Sequence, residues 1–387
     1  MEDSQPSLVH AGNSTTTIPF DLIIEILSRL PAKSLFRFQT VSKLCFSTIR
    51  NKFFVDLFLT RSKTRPRLLL TLYLTAAENQ FIFSAPEPTD DDKSSSFSGV
   101  MARYEMPISA PAYHFLYGCV NGIVCFRGVR CNTIAVYNPT TRQVVKLPDV
   151  KTNGRIMEAY LGYDPVEDQY KVLCVIMRFC FGSQDIPQEH WVCTVSSSRE
   201  WRKMENPTED EDYRIAFGGT CIDGAVYYAV NHARIVRFDV RSEKIDFIKM
   251  PKEYSITYVS IFTNYKGKLG CVDYSCKENW MTLWVLEDAE RQEWSSMKCG
   301  LPSMREYLLG DFVMTQGMNH TGELMVFNPL FESSKPFYVC YYDFNKESTR
   351  KVEIRGLKDG DFRRIHRTDD DHQMLCYPGH IENIRFL

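Results

Sequence analysis

Between residues 122 and 354 the chain repeats itself. A Gly-led apolar run, a loop, a second run ending in a turn, and a third run recur. The first copy is Gly122 to Phe126, Thr133 to Tyr137 and Gln143 to Leu147, with the turn Asn138-Pro139-Thr140-Thr141-Arg142 before the third run. The second comprises Tyr170 to Ile176, Trp191 to Val195 and Trp201 to Met204, and the third Gly224 to Val230, Arg234 to Val240 and Lys244 to Met250. Two more follow: Lys268 to Tyr274, Met281 to Leu286 and Glu293 to Met297, then Glu323 to Phe327, Phe337 to Phe344 and Arg350 to Ile354. The middle runs end at Tyr137, Val195, Phe238, Leu286 and Phe344, a spacing of 43 to 58 residues. Short β runs at that period predict propeller blades. An extra apolar run precedes each unit, among them Ala159 to Tyr163, Tyr258 to Phe262 and Asp311 to Thr315, giving four strands per blade. Leu68 to Leu74 and Phe81 to Phe83 come before the repeats, and Met374 to Tyr377 and His380 to Leu387 after them. Pairing of these outer pieces in one shared blade would remove the exposed sheet edges. The expectation is an all-β domain over 66–387, a six-bladed β-propeller-like fold closed by N- and C-terminal strands.

Residues 18–60 obey a different period. Pro19 suits a first helical turn, with Thr16 or Thr17 upstream to supply capping oxygens. Leu22, Ile23, Ile26, Leu27 and Leu30 follow at helical spacing. Pro31 stops that helix, Ser34 starts a second from Leu35 to about Val41, and Ser42 caps a third carrying Leu44, Cys45, Phe46 and Ile49. Three short helices have too little interior to bury this much apolar surface, so the surplus reads as an interface. Residues 18–67 hold ten Lys or Arg and three Asp or Glu, a net of +7 in a chain whose total is −2. A segment so basic is steered toward an acidic partner.

The string from Pro19 through Asp21-Leu22-Ile23, Glu25-Ile26-Leu27, Arg29-Leu30-Pro31, Lys33-Ser34-Leu35, Arg37-Phe38 and Val41 to Lys43 resembles the F-box. The Pro31-Ala32-Lys33-Ser34-Leu35 version is similar to that of plant F-box proteins carrying a C-terminal F-box associated, Kelch-like β domain. The resemblance implies a substrate-recognition subunit of a Skp–cullin–F-box ubiquitin ligase: the F-box docks a Skp-type adaptor and through it a cullin, while the β domain presents a target protein for ubiquitination. By position, Pro19, Leu22, Ile23, Ile26, Leu27, Leu30, Pro31, Leu35 and Val41 would form the core and adaptor-facing surface. The chain departs from the family where Val-Cys-Lys-x-Trp is replaced by Val41-Ser42-Lys43-Leu44-Cys45, which removes a bulky aromatic from the third helix. The alternatives are a non-ligase interaction scaffold, or a propeller that binds a glycan or small molecule.

Loop lengths locate the other working face. Turns after the first and third strands of each unit are short and alike, whereas those between second and third strands, Arg178 to His190, Ser275 to Asn279 and Asn328 to Pro336, vary widely. Variable loops on a rigid scaffold carry recognition, which makes Phe179, Phe181, His190, Lys277, Trp280 and Phe331 the target-binding candidates.

The remaining features narrow the class. Residues 1–17 are polar and read as a disordered tail, and no run approaches the ~18 apolar residues of a membrane span. Residues 85–99, with Asp90-Asp91-Asp92 and Ser94-Ser95-Ser96, read as a flexible loop. Glu209-Asp210-Glu211-Asp212 and Asp369-Asp370-Asp371 read as solvated loops. Thirteen cysteines without a Cys-x-x-Cys pair fit reduced thiols, buried in strands at Cys125, Cys174, Cys193 and Cys271, and place the protein in the cytoplasm or nucleus. No phosphate-binding loop, dinucleotide fingerprint, nucleophile elbow or zinc-protease motif occurs. The expectation is a non-catalytic protein without cofactor or metal, binding neither nucleic acid nor membrane.

Overall fold

Among the described residues, six sheets arranged as propeller blades, antiparallel but for one short parallel pairing, follow a small helical module in the computed structural model. The structure describes residues 18–74, 79–88, 96–97, 102–105, 115–127, 133–151, 156–177, 188–196, 199–205, 216–230, 234–251, 260–275, 280–300, 314–331, 336–354 and 372–387. The first blade, from inner to outer strand, is Phe115–Val120, Ile123–Arg127, Ile134–Asn138 and Gln143–Lys146. The second is Ile156–Asp164, Gln169–Met177, Glu189–Thr194 and Trp201–Lys203, and the third Ala216–Ile222, Ala225–Val230, Arg234–Asp239 and Lys244–Lys249. The fourth is Ile261–Tyr265, Lys268–Ser275, Trp280–Asp288 and Glu293–Gly300; the fifth is Met314–Met318, Leu324–Phe327, Phe337–Asp343 and Ser348–Ile354. The sixth joins both ends of the domain: Arg67–Leu74 lies between Asn79–Pro86 and the last strand, His372–His380.

Each blade is buried on both faces, which explains why its second strand reads as an unbroken apolar run rather than an alternation. In Gln169–Met177, Val172, Cys174 and Ile176 pack toward the first blade, and Leu173, Val175 and Met177 toward the third. The same division gives six hydrophobic clusters, one between each pair of neighbouring blades. The last joins Leu69, Ile82 and Tyr377 of the sixth blade to Val124, Phe126 and Tyr137 of the first. Cys125, Cys174, Cys193 and Cys271 are buried in these clusters as free thiols.

Turn chemistry repeats with the blades. Asn121-Gly122, Asp223-Gly224 and Lys266-Gly267 have positive φ at both residues, the two-residue hairpin matched to strand twist. At the third-to-fourth turns, Asn138, Asp239, Asp288 and Asp343 accept backbone N–H groups two or three residues on. The residue four positions after each, Arg142, Glu243, Gln292 and Glu347, is left-handed. Trp201 donates its indole N–H to the Pro148 carbonyl of the blade before it at 2.8 Å, and Trp294 does the same to Lys249 at 3.1 Å.

The helical module has four helices rather than the expected three: α1 (Phe20–Arg29), α2 (Ala32–Phe38), α3 (Lys43–Arg50) and α4 (Lys52–Lys63). The fourth follows one residue after α3, because the Asn51 side chain accepts the Phe53 N–H and restarts the helix at once. Its buried residues Phe54, Phe58 and Leu59 sit at helical spacing. Ser42 caps α3 through the Cys45 N–H at 3.1 Å, as expected. Ser34 does not start α2, which begins directly after Pro31. Thr16 and Thr17 lie outside the described residues.

Two further expectations are corrected. Residues 381–387 are not a closing strand; they run across the turns of the first two blades, held by hydrogen bonds of Asn121, Asn138, Thr140 and Gln143 that a sheet would not supply. The span 85–99 is not simply a loop. Pro86 ends a strand, Glu87 is buried, and Ser96–Phe97 pairs parallel to Glu353–Ile354; Asp90 to Asp92 lie outside the described residues.

Gly122 permits the crossing of the last segment. A Cβ there would lie 2.1 Å from the Ile381 carbonyl oxygen, whereas one on Gly267 would meet open space, and both glycines are left-handed. Gly267→Ala is therefore expected to cost about 1–2 kcal/mol of backbone strain alone. Gly122→Ala should cost clearly more in urea denaturation; equal losses would show that the segment does not bear on Gly122.

Candidate functional site

The helical module encloses a core of Leu27, Ala32, Leu35, Ile49, Phe54 and Phe58, completed by Ile384 from the end of the propeller. Much of its remaining apolar surface is left in solvent. Of the exposed large hydrophobic side chains among the described residues, nine fall in 18–53: Ile18, Phe20, Leu22, Ile26, Phe38, Val41, Leu44, Phe46 and Phe53. Elsewhere there are only Val166, Trp280, Leu330 and Phe386. A surface this biased marks an interaction site rather than the normal scatter of exposed apolar groups.

The residues expected to face an adaptor divide by burial. Pro19, Leu22, Ile26, Pro31 and Val41 are exposed, with Leu22 and Ile26 both 52% accessible; Ile23 and Leu30 are half-buried. Leu27 and Leu35 fall to the core share of that expectation: at 3% and 0% exposure they hold the helices together rather than face a partner. Helical periodicity marked one wide apolar stripe on α1, but α4, absent from that reading, covers part of it. Sequence reasoning missed Ile18, Phe20, Phe38 and Leu44 as surface groups. The four-residue interval of Leu22 and Ile26, carried back to Ile18, was the available signal around α1; Phe38, Val41 and Leu44 fall on α2, the following turn and α3, so no single helical period joins them. Lys33, Arg37 and Lys43 are also exposed on α2 and α3.

Ion pairs fix α1 against α4. The Arg61 guanidinium hydrogen-bonds the Glu25 carboxylate and the Ser28 hydroxyl, and Arg29 bonds Glu25 from the same helix at 2.8 Å. Arg61 first, then Arg29, holds the Glu25 carboxyl below its usual pKa. Arg65 donates to the Arg29 carbonyl at 2.7 Å.

A second cluster joins the module to the ring. The Arg385 guanidinium bridges Asp56 of α4, at 2.9 Å, and Asp168 in the turn of the second blade, and Lys52 also pairs with Asp168. Burial opposes ionisation of Asp168, but hydrogen bonds from Lys52, Tyr163 and Arg385 outweigh it and hold its pKa at about 2.

Because the module meets the short turns of the blades, the connections between second and third strands leave from the opposite end of the ring. Of the target-binding candidates, Trp280 begins a strand there and is 50% exposed. His190 is corrected: strand alternation turns it toward the third blade, where it is fully buried with its Nε2 3.3 Å from the Tyr228 hydroxyl. Phe331 lies in the short strand Leu330–Phe331, paired with Gln373 and His372. Phe179, Phe181 and Lys277 lie outside the described residues, as do the acidic runs 209–212 and 369–371.

At the ring axis is a cavity of about 550 Å³, walled in part by Gly218, Gly219, Thr263, Gln316, Lys266 and His320. Beside it the Cys119 Sγ lies 3.4 Å from His380 Nδ1. Burial pushes the thiol up to about 12 and the imidazole down to about 3. Both are neutral near pH 7, so the pair is no thiolate nucleophile. Among the described residues no His, Cys, Asp and Glu side chains converge as a metal site.

Comparison with known proteins agrees with this division. The F-box domain family matches residues 16–56, and the family described as F-box associated beta propeller domain matches residues 67–381. The F-box protein At1g30790 of Arabidopsis thaliana is 36% identical, the alignment covering 96% of this chain and 98% of that protein. The putative F-box protein At1g46984 of the same plant is 33% identical over 99% and 97% of the two chains. Among solved structures, a streptogramin B lyase aligns over 75% of this chain and 88% of its own, with 9% identity and a TM-score of 0.40.

The depressed pKa of Asp168 carries a sign for stability. The contribution of its contacts is fully present above the unfolded value near 4 and is lost as pH falls through about 2. Between pH 4 and 2 the intact protein should lose thermal stability more steeply than Asp168→Asn, as followed by circular dichroism melts; parallel slopes would remove Asp168 from the contact.

Proposed function

Since the chain belongs to the plant F-box proteins that carry an F-box associated β-propeller, we propose that it is the substrate receptor of a Skp–cullin–F-box ubiquitin ligase. The observation that carries the reading is the concentration of exposed apolar side chains on the helical module, in a segment of net charge +7. Pro19, Leu22, Ile23, Ile26, Leu30, Pro31 and Val41, with Ile18, Phe20, Phe38 and Leu44, form the docking surface for a Skp-type adaptor. Lys33, Arg37 and Lys43 draw that acidic partner in. The adaptor in turn engages a cullin. The target protein binds at the other end of the ring, around Trp280; Phe179, Phe181, Lys277 and Phe331 remain the further candidates from the sequence.

The mechanism is proximity. Holding a target lysine near a ubiquitin-loaded enzyme raises its effective concentration, so the chain itself needs no catalytic group. The protein acts in the cytoplasm or nucleus, where its free thiols remain reduced.

Leu22 and Ile26 are already exposed, so Leu22→Asp with Ile26→Asp should leave the fold intact. Burying such a side chain at an interface is worth about 1.5–3 kcal/mol, and losing both should weaken adaptor binding more than about 100-fold. Titration calorimetry with recombinant Skp-type adaptor checks this. Micromolar or tighter binding by the intact chain, lost in the variant, supports the reading; no binding by the intact, folded chain overturns it.

A further inference from the structure

We infer that residues 381–387, which follow the last propeller strand, are a working part of the F-box module: they complete its core and position its docking helices. The consequence for adaptor docking rests on the function proposed above.

The segment is extended and two-faced, as alternation along a strand-like backbone requires. Glu382 and Ile384 turn toward the helices. Ile384 is 3% exposed and shares a cluster with Leu27, Ala32, Leu35, Ile49, Phe54 and Phe58. The Glu382 carboxylate accepts the Ala32 N–H at 3.0 Å. That amide opens α2, which has no side-chain cap at its N-cap residue, Pro31. The cap is supplied from 350 residues away in sequence. Arg385 pairs with Asp56 of α4, and the Arg50 guanidinium of α3 lies over the Phe386 ring.

Asn383 turns the other way and is fully buried in the ring. Its amide side chain donates to the Asn121 carbonyl at 2.8 Å, and its backbone N–H to the Thr140 hydroxyl at 3.1 Å. The Asn138 side chain donates to the carbonyls of Asn383 and Arg385 at 2.9 and 2.8 Å. Gln143 reaches the Leu387 carbonyl at 2.7 Å. One strip of chain is thus bonded into the ring along one edge and into the helical core along the other.

Helices of seven to twelve residues are marginal without tertiary packing, and this module draws part of its packing and one helix cap from the segment. Lys33, Arg37 and Phe38 of the docking surface ride on the helix that Glu382 caps. Docking competence therefore requires a chain folded through its last strand, and a ring that has not formed leaves the F-box core open.

The test compares the intact protein, a version ending at His380, and full-length Ile384→Ala by amide hydrogen exchange and by titration with recombinant Skp-type adaptor. Truncation should raise exchange across 20–63 at least tenfold while strands such as 169–177 keep their protection, and should weaken adaptor binding tenfold or more. Ile384→Ala should move both readouts the same way by less, and decides the matter if the truncated ring does not fold. Unchanged exchange across 20–63 overturns the inference, as does faster exchange with unchanged adaptor affinity. Failure of the intact chain to bind adaptor would overturn the proposed function instead, and the exchange measurement would still decide whether the segment completes the module.

Discussion

The pairing of Arg67–Leu74 with His372–His380 is the constraint from which the rest of the architecture follows. Each blade buries both faces against its neighbours, so every one of the six interfaces needs a blade on either side. This pairing builds the sixth blade from the two ends of the domain. It also does something less expected. Arg67 stands opposite His380 in register, so the chain arriving from α4 and the chain leaving the ring depart side by side. Both connections to the helical module start from one point, which is why 381–387 can return to the F-box core rather than wander from it.

That geometry suits the positional role proposed above. Effective concentration is high only when the linker between two binding sites is short or stiff and spans the right distance. Here the module is tied to the ring by a direct chain connection at residues 64–66, by 381–387, and by the charged cluster of Asp56, Lys52, Asp168 and Arg385. The helical module and the far ends of the second and third strands therefore lie at opposite ends of the ring, with three separate ties holding the module to its end.

Much of this was legible because it rests on local chemistry. The Asn-Gly, Asp-Gly and Lys-Gly hairpins, the Asn or Asp that opens four of the third-to-fourth turns, and the apolar runs announce themselves in sequence. What escaped depends on long-range partners. Helix α4 follows α3 so closely that no proline or glycine punctuates them, and Asn51 restarts the helix in a single residue. His190 looked like a loop group because it borders a variable connection, yet strand alternation turns it inward. Leu27 and Leu35 share a helical period with surface groups, and only the presence of α4 decides which side is covered. Residues 381–387 follow an apolar strand and carry apolar side chains at Ile381, Ile384, Phe386 and Leu387, which reads as more strand; their partners are turns and helices distant in sequence, which no local rule reveals.

Charge completes the division of labour. The segment 18–67 carries +7 and the whole chain −2, so the remainder carries −9. An acidic partner of the kind proposed above, approaching within a screening length of about 10 Å at ordinary ionic strength, would meet attraction from the helical module and repulsion from the net charge of the rest of the chain. The apolar side chains alone would accept many surfaces; the charge partition selects among them and orients the encounter before those side chains touch.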